Sequence, residues 1–501
     1  MIFRDWLKEL DYTLLQGSVD VETEDVIYDS RKAAPGKVFV AMKGIRVDGH
    51  SFIPQVLKAG VRVLVTERPV EEELKNSGLS EDELKQVTVV MVEEGRHALA
   101  LLSAARFDHP AKKLVMIGVT GTKGKTTTTH MIRAILLAAG KKVGMIGTTG
   151  TVIGDVVTPT LNTTPESYEL HQAFAQMVEA GCEYAVMEVS SQGIKMHRTD
   201  GLYFNYAIFT NISPDHIGPG EHADFEEYLY YKTRLLNMCG IGLVNKDDKH
   251  APQIIKAANC ELCTYSEESK EADFVASDIR YVSQPDFVGT EFHISGKYDM
   301  EVRLGIPGLF NVVNALAAVS VCSFLGLDQA RISHALENIR VNGRMEIVYT
   351  SERCTVLVDY AHNAVSMESL LSTLRDYKPK RLVCVFGCGG NRSKDRRYSM
   401  GEIGGKLADL SIITADNSRY EKVEDIIADI RGSIEKTGGS FIEIPDRREA
   451  IRYSILQAQP GDMVAVIGKG HEDYQEINGV RHHFLDREVI EETVKELGEK
   501  A

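Results

Sequence analysis

A glycine-rich stretch, Gly121-Thr122-Lys123-Gly124-Lys125-Thr126-Thr127, follows the apolar run LVMIGV and opens a segment with helical spacing. Glycines let a backbone curl until its N–H groups face phosphate oxygens, and a helix N-terminus adds positive potential there. Lys125 can reach the β- and γ-phosphates of a nucleotide, and the Thr126 hydroxyl can bind Mg²⁺. A strict P-loop has four residues between its glycines; here Gly121 and Gly124 enclose only Thr122 and Lys123, and Val119 holds the longer-range position. The competing reading is a glycine-rich turn with two surface lysines. The strand–loop–helix context favours a nucleotide.

Three further residues could serve phosphate chemistry. Glu188 ends the run YAVMEV, and His216 follows YAIFTN. Ligands of open α/β sheets gather at the carboxyl ends of strands, so both could share the rim with the loop. A carboxylate there can hold the nucleotide metal, but Mg²⁺ prefers oxygen, so spacing alone makes His216 a hydrogen-bonded structural histidine. Lys232, in FEEYLYYKTRLL, reads on its own as an exposed helix lysine.

The elements that must position these groups are legible as alternating patterns. Residues 1–94 mix short strands (KVFVAM, VRVLVTE) with one or two helices. A helix around Glu94–Phe107 leads through Asp108-His109-Pro110 into strand, glycine turn, helix and strand: LVMIGV, TGTKGK, TTTTHMIRAILLAAG, KKVGMIG. Apolar runs alternating with amphipathic helices imply a parallel, doubly wound sheet. Near Arg340 the alternation restarts with TVLVDY, RLVCVFG, LSIIT and DMVAVIG, and a helix is expected at Val423–Lys436. The expected fold is α/β in three domains, 1–94, 95–340 and 341–501. Gly387-Cys388-Gly389-Gly390-Asn391-Arg392 has arginine where a dinucleotide fingerprint needs its third glycine, so no such site is indicated.

The chain has 501 residues, 43% of them hydrophobic, and a formal net charge of -15. That excess of acid argues against a general nucleic-acid coat. Most of the eight cysteines sit in apolar runs, and the isolated pair Cys260 and Cys263 lacks the partners a zinc site needs. Reduced cysteines, an acidic start (MIFRDWLKEL) and no apolar run of about 20 residues lead us to expect a cytoplasmic protein with no membrane insertion.

Twelve motifs occur in order: YDSRKAAPGKVFVAMKGIRVDGHSFI, TGTKGKTT, NTTPE, MEVSS, FTNISPDHIG, YYKTRLL, GLFNVVNALAA, NGRME, DYAHN, FGCGGNR, DNSR and GKGHEDYQ. On these the chain resembles the Mur ligases of the MurE type over essentially its whole length. The shortened P-loop is itself how that family's loop looks. The resemblance implies a small mixed α/β domain for uridine diphosphate, a central P-loop-type parallel-sheet ATPase domain and a C-terminal Rossmann-like domain. It implies uridine diphosphate contacts at Tyr28, Ser30 and the Ile45–Val47 turn. Asn311 and Asn314 match the adenine-side asparagines, and Arg344 and Asp359 serve the nucleotide from the third domain. Asn162, Thr163, Thr164, Ser190, Met196 and Arg198 fall at muramyl-peptide positions, with Met196 where the family usually has glutamine. Two readings above are reversed: His216 matches a ligand of a second Mg²⁺, and Lys232 a lysine carbamylated by CO₂. The loop Gly218-Pro219-Gly220-Glu221-His222 is slightly longer than usual, and Ala364 stands where proline is common.

The implied reaction is ATP-dependent. The D-glutamate carboxylate of UDP-N-acetylmuramoyl-L-alanyl-D-glutamate takes the γ-phosphate, and an amine then displaces phosphate from the acyl phosphate. Lys125 and two Mg²⁺ ions held by Thr126, Glu188, His216 and Lys232 neutralise charge, and closure of the C-terminal domain excludes water. Asp416-Asn417-Ser418-Arg419 resembles the DNPR motif of the meso-diaminopimelate-adding enzymes, with serine for proline. Arg419 matches a clamp on the second carboxylate of that amino acid, which L-lysine lacks; Arg392, Gly468 and Glu472 match the other contacts. The bland alternative makes Arg419 an exposed loop residue after a helix-capping Asp416-Asn417. Diaminopimelate is expected over L-lysine, on a monomeric enzyme. The rivals are a folylpolyglutamate synthase, against which Asp29-Ser30-Arg31 and GIRVDGH argue, and a P-loop kinase or non-catalytic nucleotide-gated binder.

Overall fold

The computed structural model describes residues 1–44 and 47–498. They form two compact units, Met1–Tyr265 and Ser266–Ala501, the division falling inside the stretch 95–340.

The first unit carries two sheets. In the smaller, Asp25–Ile27, Lys37–Val40, Val63–Thr66 and Thr88–Met91 run parallel, and Thr13–Gln16 closes the edge antiparallel. The helix Gly95–Arg106 lays Ala98, Leu99 and Leu102, at helical spacing, among Trp6, Val38, Val65 and Val90. The chain then turns sharply, with Asp108 and His109 at φ 56° and 47°, before Pro110 starts a 3₁₀ turn.

In the larger sheet, Glu261–Ser266, Cys239–Asn245, Phe204–Phe209, Val115–Thr120, Tyr184–Glu188 and Val143–Gly147 lie side by side and parallel. Gly150–Ile153 and Val156–Thr158 extend it antiparallel. Val115–Thr120 sits between Tyr184–Glu188 and Phe204–Phe209, two strands that come later in the chain. The strand order therefore reverses beside it, which opens a crevice at the carboxyl ends. The glycine loop, Glu188 and the chain after Phe209 all leave the sheet there.

The second unit starts with a three-stranded antiparallel meander, Phe274–Gln284, Phe287–Gly296 and Met300–Leu304, and two helices, Leu309–Phe324 and Gln329–Glu337. Its other sheet orders Glu346–Thr350, Cys354–Asp359, Asp462–Ile467, Arg381–Phe386, Leu410–Ile413 and Phe441–Glu443, parallel except at the first strand. The inner strands are continuous apolar runs because helices cover both faces. Fully buried Arg447 forks onto Asp486 at 2.7 Å and donates to the carbonyls of Ala415 and Ile467 at 3.3 and 3.0 Å. That one guanidinium ties the chain that follows Leu410–Ile413 to the end of Asp462–Ile467, each carbonyl one residue short of an expected site residue, Asp416 or Gly468.

Candidate functional site

The glycine loop joins strand Val115–Thr120 to helix Lys125–Ala138. Gly121 is at φ 147°, and a Cβ there would fall 1.9 Å from Thr210 Oγ1; Gly124 caps the helix at φ 86°. Gly121 leaves no room for a side chain, and the left-handed backbone at Gly124 is one that glycine adopts without strain. The Thr210 hydroxyl donates to the carbonyls of Thr120 and Lys123, and Asn211 exchanges bonds with the Lys123 backbone at 2.9 and 3.0 Å. Lys125 Nζ donates to the carbonyls of Gly121 and Thr122 at 2.8 and 3.1 Å.

Glu188, 1% exposed, accepts from Thr126 Oγ1 at 3.0 Å, Thr148 N at 2.9 Å and Thr148 Oγ1 at 3.2 Å. Its carboxylate is thus hydrogen-bonded to the residue that closes the glycine loop. Lys232 overturns the reading of an exposed helix lysine: it is 2% exposed, donates to Gly121 O at 2.7 Å, and lies 4.7 Å from the centre of the Tyr228 ring. The helix Phe225–Thr233 turns this position inward, and helical spacing could not tell which face would be covered. Burial, and after it the charge of Lys125, hold the amine well below the ordinary lysine range, against the pull of Asp215.

His216 is on an exposed turn at φ 53°, its Nδ1 3.1 Å from Glu221 and its ring 6.2 Å from that of Tyr228. Tyr228 in turn meets Thr122 Oγ1 at 3.1 Å. The loop after His216 is pinned by Gln192 and Lys195, which donate to the carbonyls of Gly220 and Glu221. Thr148, Thr210, Asn211 and Tyr228 were not singled out from sequence. Their signal is adjacency to strand ends, visible only with the strand order in hand.

The residues matched to the muramyl peptide converge beside Glu188. Buried Thr164 donates to Glu188 O and accepts from Ser190 N; Ser190 caps the helix Ser191–Lys195; Arg198 donates to Thr164 O at 3.0 Å and pairs with Glu166 at 2.7 Å. Thr163 Oγ1 lies 3.1 Å from Thr148 Oγ1, Asn162 is exposed, and Met196 is half-buried at the helix end. In the smaller sheet, the Tyr28 hydroxyl donates to Glu169 at 2.9 Å, and Ser30 opens a 3₁₀ turn capped by Asp29. Of the Ile45–Val47 turn, Ile45 and Arg46 lie outside the described residues.

In the second unit, Asn311 donates to Pro307 O at 2.7 Å and Asn314 to Asn311 Oδ1 at 3.1 Å, both buried. Asp359 accepts from the N–H groups of Met345 and Ala361, and Arg344 stacks 4.8 Å over the Tyr360 ring. Burial raises the Asp359 carboxyl above its usual range, and Arg344 opposes it.

A cavity of about 400 Å³ is lined by Arg392, Asp416, Asn417, Arg419, Gly468 and Glu472, all expected from sequence, and by Tyr360, His362, Arg396 and Tyr474, which were not. The alternative of an exposed Arg419 after a helix-capping Asp416-Asn417 fails. Asp416, Asn417 and Ser418 are buried, the next helix starts at Val423, and Arg419 is 23% exposed. Asn417 Nδ2 donates to Glu472 Oε2 at 3.0 Å; Lys469, fully buried, reaches both residues at 3.4 and 3.3 Å. Arg419 Nη1 donates to Gly390 O at 2.8 Å. Ser418 needs no proline to fix this loop. Gly390 N donates to Asn417 O, Arg419 N to Glu476 O and Glu421 N to Ser418 O. A Cβ on Gly390 would lie 2.0 Å from Ser418 O, so glycine lets the two loops touch.

Three family models match: the Mur ligase family catalytic domain over residues 23–107, the Mur ligase middle domain over 119–322 and the Mur ligase glutamate ligase domain over 343–470. The UDP-N-acetylmuramoyl-L-alanyl-D-glutamate–2,6-diaminopimelate ligase of Caldanaerobacter subterraneus subsp. tengcongensis is 39% identical, with 98% of each chain covered. The ligase of the same name from Clostridium perfringens is 38% identical over 98% of this chain and 99% of its own. A solved structure of a ligase of that name aligns with a TM-score of 0.72 at 30% identity, covering 95% of this chain and 96% of that one. An α/β architecture, a glycine loop backed by a buried glutamate and identity sustained from end to end agree: the chain is a ligase and belongs to the Mur ligase family.

Proposed function

We propose that this protein joins meso-2,6-diaminopimelate to the D-glutamate of UDP-N-acetylmuramoyl-L-alanyl-D-glutamate at the expense of ATP, a step of peptidoglycan synthesis. The observation that carries the choice of amino acid is the second unit's cavity, where the guanidinium groups of Arg392 and Arg419 line the same space as Asn417 and Glu472. An amino acid with a carboxylate and an ammonium at each end matches that mixture of signs. L-Lysine would offer one arginine no substrate carboxylate, and a site built on such a contact discriminates by about 10⁴. The names of the relatives support the same choice.

The division of labour is read as uridine diphosphate on 1–94, ATP and muramyl peptide on 95–340, and the incoming amino acid on 341–501. Lys125 and the loop N–H groups cradle the triphosphate, with Asn311, Asn314, Arg344 and Asp359 serving the same nucleotide. Thr163, Thr164, Ser190 and Arg198 orient the acceptor. The D-glutamate carboxylate oxygen attacks the γ-phosphorus, the bond to the β-bridging oxygen breaks, and ADP leaves. The amine of diaminopimelate then attacks the acyl carbon, phosphate departs with the anhydride oxygen, and the amine loses a proton.

Lys232 is suited to carbamylation. Its suppressed charge leaves a nucleophilic amine that forms an N–C bond to CO₂ and releases one proton, giving an anion. Thr126, Glu188, His216 and that carbamate would hold two Mg²⁺ ions; oxygens dominate the donor set, as Mg²⁺ requires. Bound there, the ions neutralise charge on the transferring phosphoryl group. We place the enzyme in the cytoplasm as a monomer, where its product feeds wall growth, cell shape and division.

The test supplies ATP, Mg²⁺ and the UDP-muramyl dipeptide, offers diaminopimelate, L-lysine and ornithine separately, and weighs the product. Diaminopimelate alone should yield a tripeptide with one ADP per bond. Product with L-lysine at a similar rate would overturn the specificity, and sustained ADP release with no UDP-muramyl dipeptide present would overturn the ligase reading.

A further inference from the structure

His97, on the helix Gly95–Arg106, and His197 and Asp200, on the turn after Ser191–Lys195, have no part in the reaction just described. Asp200 Oδ2 lies 2.6 Å from His97 Nδ1 and 2.8 Å from His197 Nδ1. One ligand atom of each residue lies within 4.8 Å of the others. The imidazoles stand edge to face, centroids 6.3 Å apart. The side chains are 44%, 37% and 21% exposed, so an ion can enter from solvent and water can complete its shell.

We propose that His97, His197 and Asp200 bind one divalent transition-metal ion of the zinc class through two Nδ1 atoms and a carboxylate oxygen. The donor set decides the class. Two imidazole nitrogens and one carboxylate suit zinc-like ions, while Mg²⁺ favours an all-oxygen shell. Metal–ligand bonds of about 2.0–2.1 Å put tetrahedral ligands roughly 3.3 Å apart. The two nitrogen–oxygen contacts therefore open by about half an ångström on binding, a rotamer adjustment that partly exposed side chains allow. Each ring moves its remaining proton to Nε2. Any proton that Asp200 induces on His197 is released. Asp200, and after it Glu94, favour positive charge at His197, while burial and Arg234 oppose it. The bound ion links the helix Gly95–Arg106 to the turn carrying Arg198, whose guanidinium holds Thr164 and Glu166.

The experiment titrates the full chain, in excess Mg²⁺, with Zn²⁺ and Co²⁺ by calorimetry and follows cobalt absorption. One ion per chain is expected, with visible bands of nitrogen–oxygen coordination. His97→Gln and Asp200→Asn should each weaken binding at least about tenfold, while His97→Gln ligates at the native rate. Zn²⁺ should raise the melting temperature of the native chain and not of His97→Gln. Less than one equivalent bound, equal affinity in native chain and both variants, or thiolate charge-transfer bands from Cys260 and Cys263 would each overturn the site.

Discussion

The glycine loop of the first unit and the cavity of the second are built in opposite ways. The loop is one contiguous stretch, in which a Cβ on Gly121 would meet Thr210 and Gly124 holds a left-handed backbone. The cavity carries both signs of charge and gathers residues from four separated segments, 360–362, 387–396, 416–419 and 468–474. Around the loop, the decisive side chains are buried singly: Glu188 on hydroxyl and amide donors, Lys232 on one carbonyl. Around the cavity they are coupled, Asn417 to Glu472 to Lys469. A change at the loop should therefore remove one function outright, and a change at the cavity should alter recognition by degrees.

The largest effect is expected at Lys232. Lys232→Ala should lower kcat about 10³-fold, near 4 kcal/mol in the barrier, with little change in KM for diaminopimelate. Stripping CO₂ from the native enzyme should slow it reversibly, and the variant should not respond. A variant that keeps full activity at ambient CO₂ would break the contrast between the two regions.

Arg419→Ala comes next. It should raise KM for diaminopimelate about 10²-fold at nearly constant kcat, and narrow the gap between diaminopimelate and L-lysine. Glu472→Gln should cost about tenfold, because Asn417 and Lys469 keep partners and the cavity keeps its shape. If Arg419→Ala instead lowered kcat for every amine alike, the cavity would be part of the chemical step.

The same contrast governs how much could be read from residues alone. The loop was legible because a strand, two glycines, a lysine and a threonine are adjacent in the chain. Lys232 was legible only through resemblance, since its burial is a property of the tertiary fold. Arg392, Arg419, Gly468 and Glu472 were likewise found by resemblance, while Arg396, Tyr360 and Tyr474 reach the cavity through strand order. The meander at Phe274–Leu304 went unread because its strands alternate apolar with polar residues, unlike the solid apolar runs of the parallel sheets. The fold class survived that omission because the parallel core had been placed from its own runs.

A stability measurement sharpens the loop side. The Lys232 amine binds its proton less tightly in the folded chain than in the unfolded one. Between the lowered folded value and the ordinary lysine range, the unfolded state holds the extra proton, so this residue's contribution to stability rises with pH. Lys232→Met should therefore melt higher than the unmodified native chain near neutral pH, by at least about 2 °C. The gap should shrink as pH climbs toward the lysine range. A gap independent of pH would mean that packing, and not proton linkage, sets the cost of burying this amine.

The smallest effect is expected at Met196, half-buried at the end of the helix Ser191–Lys195, two residues before Arg198. Its thioether is a weak acceptor, whereas the glutamine usual in the family offers two donors and an acceptor. Arg198 is held by Thr164 and Glu166 and does not depend on residue 196 for its position. Met196→Gln should therefore add at most one hydrogen bond to the muramyl peptide. The expected gain is about 1 kcal/mol, a fall of roughly fivefold in KM for the UDP-muramyl dipeptide at unchanged kcat and unchanged KM for diaminopimelate. A change in the diaminopimelate KM would show that the two recognition regions are coupled through this helix end.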